Sequence, residues 1–432
     1  MIKKTREIVF FAQNHYSVVK EILGTYRAGA YYGSAYRITY HDVVAIKENR
    51  NMPAPNDKYD VIVVGAGPAG STASFILSEN GLKVLLIDKC TFPRDKLCGG
   101  FLTEKSVRLM KTIFKESPQT LKQNDAINIE SSFYSLWYRS HLLMSGSSEI
   151  PFRFVNRTDF DFFLLKHARS SGVCVLEKEI VKECNPSTAT IRTKSGQLYS
   201  GSFIIGADGI SSIVRHSFPQ YSYDHHDWQR NLATGIQVSI PMNEFPWKVD
   251  RPMIYFGFLN NGYSWVFPRK DSVVVGMGGI NRKNRDGISV CFRSFLQTLS
   301  VPEYFHVNIQ SYPIPFGNYL ERPGYNFALL IGDAAGFADA IFGEGLYYAM
   351  KSGELAANAI LEGFQKNLPP LKIYVRAVKQ FITPQLSYLK KRGRQLYVLL
   401  HHFRFVGVWL YVRWKSTKMT NRIHFLRGKS RK

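Results

Sequence analysis

The sequence lacks the cysteine pattern of a disulfide scaffold or a metal cluster. Its 432 residues include five cysteines, at positions 90, 98, 174, 184 and 291, and no Cys-x-x-Cys pair. An odd, scattered set argues against structural disulfides, a zinc ribbon and an iron–sulfur cluster. The adjacent residues Asp224, His225, His226 and Asp227 cannot easily converge on one ion, so we expect a solvated loop there and no metal site. The cysteine usage indicates a reducing, cytosolic environment.

Acidic residues are missing from the end of the chain, and long apolar runs are missing throughout. No Asp or Glu follows Glu362, whereas 17 of the 56 Lys and Arg residues do, so the residues up to 362 contribute only +6 of the net charge of +23. The most apolar stretch, Leu396 to Trp414, is interrupted by Arg404 and Arg413 and is no transmembrane span.

Apolar and aromatic residues alternate with Lys and Arg in this last part of the chain. The pattern predicts that residues 364–432 form a basic helical tail that binds an anionic membrane surface. Two alternatives are a C-terminal helix that packs on the body and nucleic-acid binding, for which the chain has no recognised module.

Because Lys20, Glu21 and Arg27 break up the N-terminal apolar residues, we expect no signal peptide. Together these features predict a cytoplasmic protein, peripheral at the inner face of the membrane.

The first residues differ in composition from the rest. Residues 1–57 are predicted to be an N-terminal extension, since residues 1–51 are rich in Tyr and mixed charge and show no clear amphipathic face. Two interpretations remain open: a loosely attached segment that precedes the natural start, or a small helical appendage. The remaining length is sufficient for two hydrophobic cores.

The rest of the chain is organised around the stretch Tyr59–Gly70. An apolar run, Val61–Val64, predicts a buried strand, and a glycine-rich turn and an apolar-periodic helix follow it. In the turn, Gly65 allows a sharp bend, Gly67 allows backbone to approach a pyrophosphate, and Gly70 allows the helix to pack on the sheet. Pro68 and Ala69 complete the turn, where the free N–H groups of the helix face the phosphates.

A second apolar run, Lys83–Ile87, predicts a neighbouring strand that ends at Asp88. An acid at this distance from the glycine turn is typical of a carboxylate that binds ribose hydroxyls. The order of strand, glycine turn, helix, strand and acid therefore predicts a dinucleotide-binding domain.

Further segments of the same kind are separated by blocks of short, aromatic-rich strands. A helix should begin near Arg157 with Thr158 as its cap, and another after Gly345. The pattern predicts an α/β fold: a Rossmann-like domain assembled from residues 58–125, 156–230 and 311–363, and an inserted, mostly antiparallel β substrate domain assembled from residues 126–155 and 231–310. The run Val275–Ile280 is predicted to be a glycine-rich strand, so no second dinucleotide site is expected.

Four motifs follow one another in a fixed order along the chain: the turn Gly65–Gly70, Arg157 with Phe160-Asp161, Gly206-Ala207-Asp208-Gly209, and Gly332-Asp333-Ala334-Ala335-Gly336. Together they resemble the FAD-dependent oxidoreductases of the para-hydroxybenzoate hydroxylase fold class. The resemblance implies bound FAD.

The same resemblance implies roles for several of these residues. Arg157 would lie near the pyrophosphate, and Asp208 and Gly209 would support the cofactor at the domain junction. Asp333 would bind a flavin ribityl or ribose hydroxyl, with Gly332 as a further cofactor contact. Gly343-Glu344-Gly345 would begin a helix whose N-terminus faces the isoalloxazine. Ala340 stands where the class usually has Pro, which leaves this flavin-facing turn less fixed.

Two finer signatures resemble the geranylgeranyl reductase family, which saturates isoprenoid double bonds. They are Arg94-x-Lys96-x-Cys98-Gly99-Gly100 and Gly262-Tyr263-x-Trp265-x-Phe267-Pro268. The resemblance implies that the first loop lies near the flavin, with Lys89, Arg94, Cys98 and Gly99 as cofactor contacts. It also implies that the aromatic strand lines the substrate cavity.

The catalytic assignments follow from these signatures. Cys98, beside Arg94 and Lys96, is predicted to donate or relay a proton; the alternative is a small residue filling a tight loop. Tyr263 and Trp265 share one face of a strand and are predicted to act at the cavity, with ordinary core packing as the alternative.

The predicted reaction reduces C=C bonds of an isoprenoid lipid or quinone chain, with electrons from an external donor that is NAD(P)H-linked or ferredoxin-like. The alternatives are a flavin monooxygenase or halogenase, although the Trp-x-Trp-x-Ile-Pro element of the halogenases is absent here, and a non-catalytic, membrane-associated flavin-binding protein.

Overall fold

A computed structural model describes residues 58–219, 228–229, 232–284 and 287–400. The predicted N-terminal extension, the Asp224–Asp227 run and the last part of the basic tail lie outside these described residues.

The described residues form strands that belong to two sheets. In chain order the strands are β1 (Lys58–Val64), β2 (Val84–Ile87), β3 (Phe101–Leu102), β4 (Ile129–Tyr138), β5 (His141–Phe154), β6 (Cys174–Leu176), β7 (Val181–Asn185), β8 (Thr190–Thr193), β9 (Leu198–Gly206), β10 (Ala233–Pro241), β11 (Met253–Phe256), β12 (Gly262–Pro268), β13 (Ser272–Ile280), β14 (Gln310–Ile314), β15 (Gly324–Tyr325) and β16 (Ala328–Leu330).

Helices cover the faces of the sheets. They are α1 (Pro68–Glu79), α2 (Glu104–Phe114), α3 (Pro118–Gln123), α4 (Arg157–Ser170), α5 (Ile213–His216), α6 (Ile288–Thr298), α7 (Leu346–Lys366) and α8 (Pro370–Phe381). A further helical stretch, α9, covers residues 383–400. The described residues also include three short 3-10 helices: Asn281–Lys283, Glu303–Asn308 and Gly332–Ala335.

The first sheet is the dinucleotide-binding type that the sequence predicts. Its strand order is β15-β16-β9-β1-β2-β6, with β7 and β8 attached beside β9. The five strands β16, β9, β1, β2 and β6 run parallel. Val61, Ile62 and Val63 are fully buried, as are Leu85 and Leu86, which is typical of parallel strands that are covered on both faces.

Helices α1 and α7 pack against each other. Gly353 makes this close contact possible, since a Cβ atom at that position would lie 2.6 Å from the carbonyl oxygen of Ala69. The N-terminus of α1 and the N-terminal half of α7 are therefore held side by side.

The second sheet has the order β14-β10-β13-β12-β11-β4-β5-β3. All its neighbours pair antiparallel except β11 and β4, which pair parallel. Helix α6 covers it with Phe292, Phe295 and Leu296, each fully buried in a second apolar core. The predicted fold class, a Rossmann-like domain joined to a mostly antiparallel β region, is confirmed.

Two local features differ from the sequence-based expectations, and a third agrees with them. The cap of α4 is Asn156, whose side chain accepts a hydrogen bond from the Thr158 amide, so the prediction of Thr158 as the cap was wrong. Strand β7 was not predicted, because its alternation of polar and apolar residues is short. Strand β13 runs through the glycines to Ile280, which confirms the expected glycine-rich strand.

The described part of the basic tail packs on the body. Tyr374 and Val378 of α8, Leu386 of α9 and Ile382 between the two helices are fully buried, and the hydroxyl of Tyr374 donates to the carbonyl oxygen of Leu330 at 2.8 Å. For residues 370–400 the structure therefore supports the alternative of a helix packing on the protein. No helix in the described part of the chain is long and apolar enough to span a membrane.

Candidate functional site

The glycine turn between β1 and α1 is crowded by its own backbone. Gly65 has a φ of +104°, and a Cβ atom there would lie 2.4 Å from the carbonyl oxygen of Ala207. A Cβ atom on Gly70 would lie 1.8 Å from the carbonyl oxygen of Gly65. Helix α1 then begins at Pro68 with Gly67 as an N-cap that has no side-chain hydrogen bond. The first N–H groups of α1 are thus left for an external acceptor such as a pyrophosphate.

Arg94 lies beside this turn. Its Nη2 atom is 3.6 Å from the position that a Cβ atom on Gly67 would occupy, and it forms an ion pair with Asp161 at 3.0 Å. The Nη1 atom of Arg94 is buried and has no partner among the described residues. A buried guanidinium N–H without an acceptor is costly, and a phosphate oxygen at the glycine turn would satisfy it.

Arg157 stands behind Asp161. Its Nε and Nη2 atoms donate to the two carboxylate oxygens of Asp161 at 2.6 and 2.7 Å, and only 5% of Arg157 is exposed. Burial alone would lower the pKa of Arg157, but the Asp161 carboxylate outweighs it and raises the pKa above its usual value. Asp161 therefore holds both arginines, and Arg94 is the one next to the glycine turn. A direct contact between Arg157 and the cofactor stays a prediction.

Asp88 ties the end of β2 to the glycine turn. Its Oδ2 atom accepts a hydrogen bond from the Ala66 amide at 2.7 Å, and Oδ1 accepts one from the Cys90 amide at 2.8 Å. Lys89, next in the chain, is exposed. The Asp88 carboxylate lies at the end of β2, as the sequence predicts. Its contact with a ribose stays a prediction.

The other predicted acids lie at the ends of β9 and β16. Asp208 accepts from the Ile213 amide at 2.7 Å and the Val214 amide at 3.3 Å, the first two amides of α5, whose N-cap is Ser212. Burial raises the pKa of Asp208. Asp333 pairs with Lys96 at 3.3 Å, which connects the 94–100 loop to the end of β16. Gly209 and Gly332 both have positive φ values, of +79° and +56°, which allow these two sharp turns.

The turn that the resemblance predicts to face the flavin, residues 339–345 (the flavin-facing turn), precedes α7. Asp339 organises it: Oδ1 accepts from the amides of Ile341 at 2.7 Å and Phe342 at 2.8 Å, and Oδ2 accepts from the amide of Glu344 at 2.8 Å. Only 4% of Asp339 is exposed. Sequence reasoning missed this residue and expected a loose turn at Ala340. An aspartate one position before Ala340 was the signal available in the sequence, because a carboxylate can hold a turn that lacks proline.

The end of the flavin-facing turn leads into α7 without a side-chain cap. Gly343 has a φ of +64°, and Gly345 is the N-cap of α7 without a side-chain hydrogen bond. A Cβ atom on Gly345 would lie 3.5 Å from Oδ1 of Asp333. Glu344 points elsewhere, since it pairs with Lys105 at 3.1 Å and accepts from the Thr103 hydroxyl at the start of α2. Burial raises the pKa of Glu344 despite Lys105.

The 94–100 loop and strand β12, which carry the two finer sequence signatures, are in contact. A Cβ atom on Gly99 would lie 3.1 Å from the ring of Phe267 and 3.4 Å from Nε1 of Trp265. The Cys98 sulfur accepts from the Gly100 amide at 3.3 Å, and the Cys98 carbonyl accepts from Nη2 of Arg269 at 3.0 Å. The loop that carries the thiol therefore lies directly on the aromatic strand β12.

Tyr263, Trp265 and Phe267 form one aromatic face. Their ring centroids are 5.5 and 6.2 Å apart in sequence order. The hydroxyl of Tyr263 donates to the carbonyl oxygen of Phe342 at 2.7 Å, which joins β12 to the flavin-facing turn. Burial raises the pKa of Tyr263, so its hydroxyl stays protonated at neutral pH. The Nε1–H of Trp265 is buried and has no partner among the described residues.

The contacts fit a bound dinucleotide. A glycine cradle, an unsatisfied guanidinium N–H at Arg94, an uncapped N-terminus of α7 and an unsatisfied indole N–H at Trp265 all border the carboxyl end of the first sheet or the adjoining aromatic strand. Polar hydrogens that are buried without partners indicate a missing acceptor. No group of three or more potential metal ligands occurs among the described residues.

Comparison with known proteins identifies the class. A family model described as "FAD binding domain" matches residues 58–275, and the chain belongs to this family. FAD is therefore its cofactor, as predicted, and the protein is an FAD-dependent oxidoreductase.

Individual relatives narrow the family. An uncharacterised protein of Methanosarcina barkeri is 32% identical over 315 residues, covering 72% of this chain and 76% of the relative. The chloroplastic geranylgeranyl diphosphate reductase of Arabidopsis thaliana is 27% identical over 348 residues, covering 72% and 67%. A menaquinone reductase of Mycolicibacterium smegmatis is 27% identical over 338 residues, covering 71% and 78%. The predicted membership of the geranylgeranyl reductase family is confirmed.

Solved structures share the fold. A geranylgeranyl bacteriochlorophyll reductase-like protein of Thermoplasma acidophilum has a TM-score of 0.65 at 22% identity, covering 79% of this chain and 88% of that one. The halogenase PltM has a TM-score of 0.65 at 18% identity, covering 87% and 84%. At these identities the likeness concerns the fold alone.

Gly276 on β13 provides a test of the aromatic face, because a Cβ atom there would lie 2.3 Å from the Trp265 ring. We expect Gly276→Ala to displace Trp265 and to lower the free energy of unfolding by about 1–3 kcal/mol through overpacking. Tryptophan fluorescence and denaturant unfolding measure the two effects.

Gly278 on the same strand is the matched control, since its Cβ would meet the Trp265 ring at an ordinary 3.6 Å. Gly278→Ala should leave fluorescence and stability near those of the original chain. Equal effects of the two substitutions would contradict the described packing of Trp265.

Proposed function

We propose that this oxidoreductase reduces carbon–carbon double bonds of an isoprenoid chain, carried by a lipid or a quinone. The observation that carries the proposal is the contact between the Cys98–Gly99 loop and the aromatic face of Tyr263, Trp265 and Phe267. The names of two relatives, a geranylgeranyl diphosphate reductase and a menaquinone reductase, support a polyprenyl substrate.

An apolar polyprenyl chain requires a lining of apolar and aromatic groups with few polar contacts. Trp265 and Phe267 are 5% and 7% exposed, and they belong to one apolar cluster with Phe154 and Val274. This surface excludes water from a double bond held beside the 98–100 loop.

The residues of the 98–100 loop and its neighbours are the proposed source of the proton. Bound FAD, reduced by an external NAD(P)H-linked or ferredoxin-like donor, supplies the hydride. An isolated alkene accepts hydride poorly, so a proton must be available at the other carbon. The Cys98 thiol is the proposed donor, since its sulfur accepts from the Gly100 amide and its own S–H is not committed by that bond. The Tyr263 hydroxyl is committed to the Phe342 carbonyl, which suits a positioning role.

An anaerobic turnover experiment tests the proposal. The purified holoprotein is reduced chemically without oxygen and mixed in turn with geranylgeranyl diphosphate, a geranylgeranyl glycerolipid and a menaquinone. We expect the oxidised flavin absorbance to return with one of them, together with a product heavier by two hydrogen atoms.

Two other outcomes would replace the proposal. Reoxidation only after oxygen is admitted would favour a monooxygenase, or a halogenase if the product also required halide. The fold serves both chemistries, as the likeness to PltM illustrates. Bound FAD without turnover on any acceptor would favour a non-catalytic flavin-binding protein.

The role of Cys98 can be measured separately. Cys98→Ala should slow alkene reduction by about 10²- to 10⁴-fold, the usual contribution of a general acid, while FAD stays bound. Cys90→Ala is the control, because this thiol lies in the same loop but its neighbour is Asp88 rather than the aromatic face. Unchanged turnover of the Cys98 variant would leave that residue with only a packing role.

We also propose that the basic tail binds anionic lipid, which would bring the protein to a lipid-borne substrate. Substituting Lys415, Lys418 and Arg422 by Glu in the full chain should weaken flotation with phosphatidylglycerol vesicles. Each basic residue near such a surface contributes about 1 kcal/mol.

The control for flotation places the same charge change on the FAD-binding sheet, with Glu at the exposed positions Lys178, Lys182 and Lys194. This variant should float like the original chain, and neither protein should float with phosphatidylcholine vesicles. An equal loss in both triple variants would mean that net charge, not the tail, governs binding.

A further inference from the structure

The C-terminal helix α9 reaches the flavin-facing turn. Tyr397 of α9 is 5% exposed, and its hydroxyl donates to the carbonyl oxygen of Ile341 at 2.8 Å. Ile341 lies in the middle of the turn that precedes α7. A residue from the far end of the described chain thus bonds to the backbone next to the predicted cofactor position.

A second contact lies one helical turn earlier on the same face of α9. A Cβ atom on Gly393 would lie 2.5 Å from the carbonyl oxygen of Ala340. The backbone of α9 therefore touches the backbone of the turn, and a side chain larger than hydrogen would force them apart. Residues four apart share a helix face, so Gly393 and Tyr397 act on the turn together.

An apolar cluster seals this contact. Ile341 of the turn is buried with Phe316, Leu396, Tyr397 and Leu400. Tyr263 from β12 packs against the same cluster and bonds the next carbonyl of the turn, that of Phe342. The turn therefore lies between the aromatic strand on one side and α9 on the other.

Together these contacts fix the turn from several directions. Asp339 binds three of its amides, Tyr397 binds the carbonyl of Ile341, and Tyr263 binds the carbonyl of Phe342. Ala340 leaves the backbone freer than proline would, so its conformation depends on these external contacts. Because the turn leads directly into α7, its conformation also sets the direction of the free N–H groups at the start of that helix.

We infer that α9 is a clamp that holds the flavin-facing turn in place, and that Tyr397 is its positioning residue. The clamp keeps the positive end of α7 directed at a bound flavin ring, where it favours negative charge on the reduced form. The inference requires FAD binding and is independent of the substrate, so a failure of the proposed alkene reduction would leave it standing.

The experiment compares Tyr397→Phe with the original full-length chain. FAD affinity is measured by titrating the apoprotein, and the flavin midpoint potential by anaerobic redox titration. We expect the affinity for reduced FAD to fall about three- to tenfold, as for the loss of one hydrogen bond, with a smaller change for oxidised FAD. The midpoint potential should accordingly become more negative.

Tyr388→Phe is the matched control on the same helix. Tyr388 is 55% exposed and its hydroxyl accepts from Nε of Arg392 at 3.2 Å, away from the turn. This variant should keep the original affinity and potential. Gly393→Ala should shift both quantities in the same direction as Tyr397→Phe and by more.

Two results would overturn the inference. One is a lower melting temperature of Tyr397→Phe with unchanged potential and FAD affinity, which would reduce Tyr397 to a packing residue. The other is an equal shift in Tyr388→Phe, which would trace the effect to the helix as a whole. If Gly393→Ala does not fold, Tyr397→Phe and its control still decide between these outcomes.

Discussion

The close approach of four backbone segments around the first turn of α1 is the constraint on which the rest of the site depends. Gly65 meets Ala207 at the end of β9, Gly70 meets Gly65, and Gly353 of α7 meets Ala69. At each of the three glycines, a Cβ atom would lie less than 3 Å from a backbone oxygen, so the backbone segments could not approach so closely with a larger residue. Because the carboxyl ends of β1 and β9 and both helices are fixed at this point, the ends of the parallel strands form one rigid border for the cofactor.

Carboxylates that bond to backbone amides maintain that border. Asp88, Asp208 and Asp339 each accept hydrogen bonds from backbone amides of the loop that follows or faces them. These bonds satisfy the amides that would otherwise lack acceptors in irregular backbone. The helix starts at Gly67 and Gly345 have no side-chain cap, and we expect their free amides to face the cofactor. Free amides at a helix N-terminus are the groups that a negatively charged dinucleotide requires.

Much of the fold was predictable from local pattern. The strands β2 and β16 and the carboxyl-terminal halves of β1 and β9 are continuous apolar runs, and the helices α1, α2 and α7 carry clear start signals. Short polar elements such as β7, and the choice of Asn156 over Thr158 as a cap, were not predictable. Neighbouring residues of similar capping ability compete, and the path of the preceding chain decides which one is used.

The sequence by itself determined the class of the protein, because the glycine turn, the acid after β2 and the later glycine motifs are local requirements of dinucleotide binding. It also contains the two signatures, in the 94–100 loop and in β12, that resemble the geranylgeranyl reductase family. Only the tertiary structure decided which residues meet: Gly99 against Trp265, Arg94 beside Gly67, and Tyr397 on Ile341. These partners are far apart in the chain, and their contact depends on how sheets and helices pack, which no local periodicity encodes.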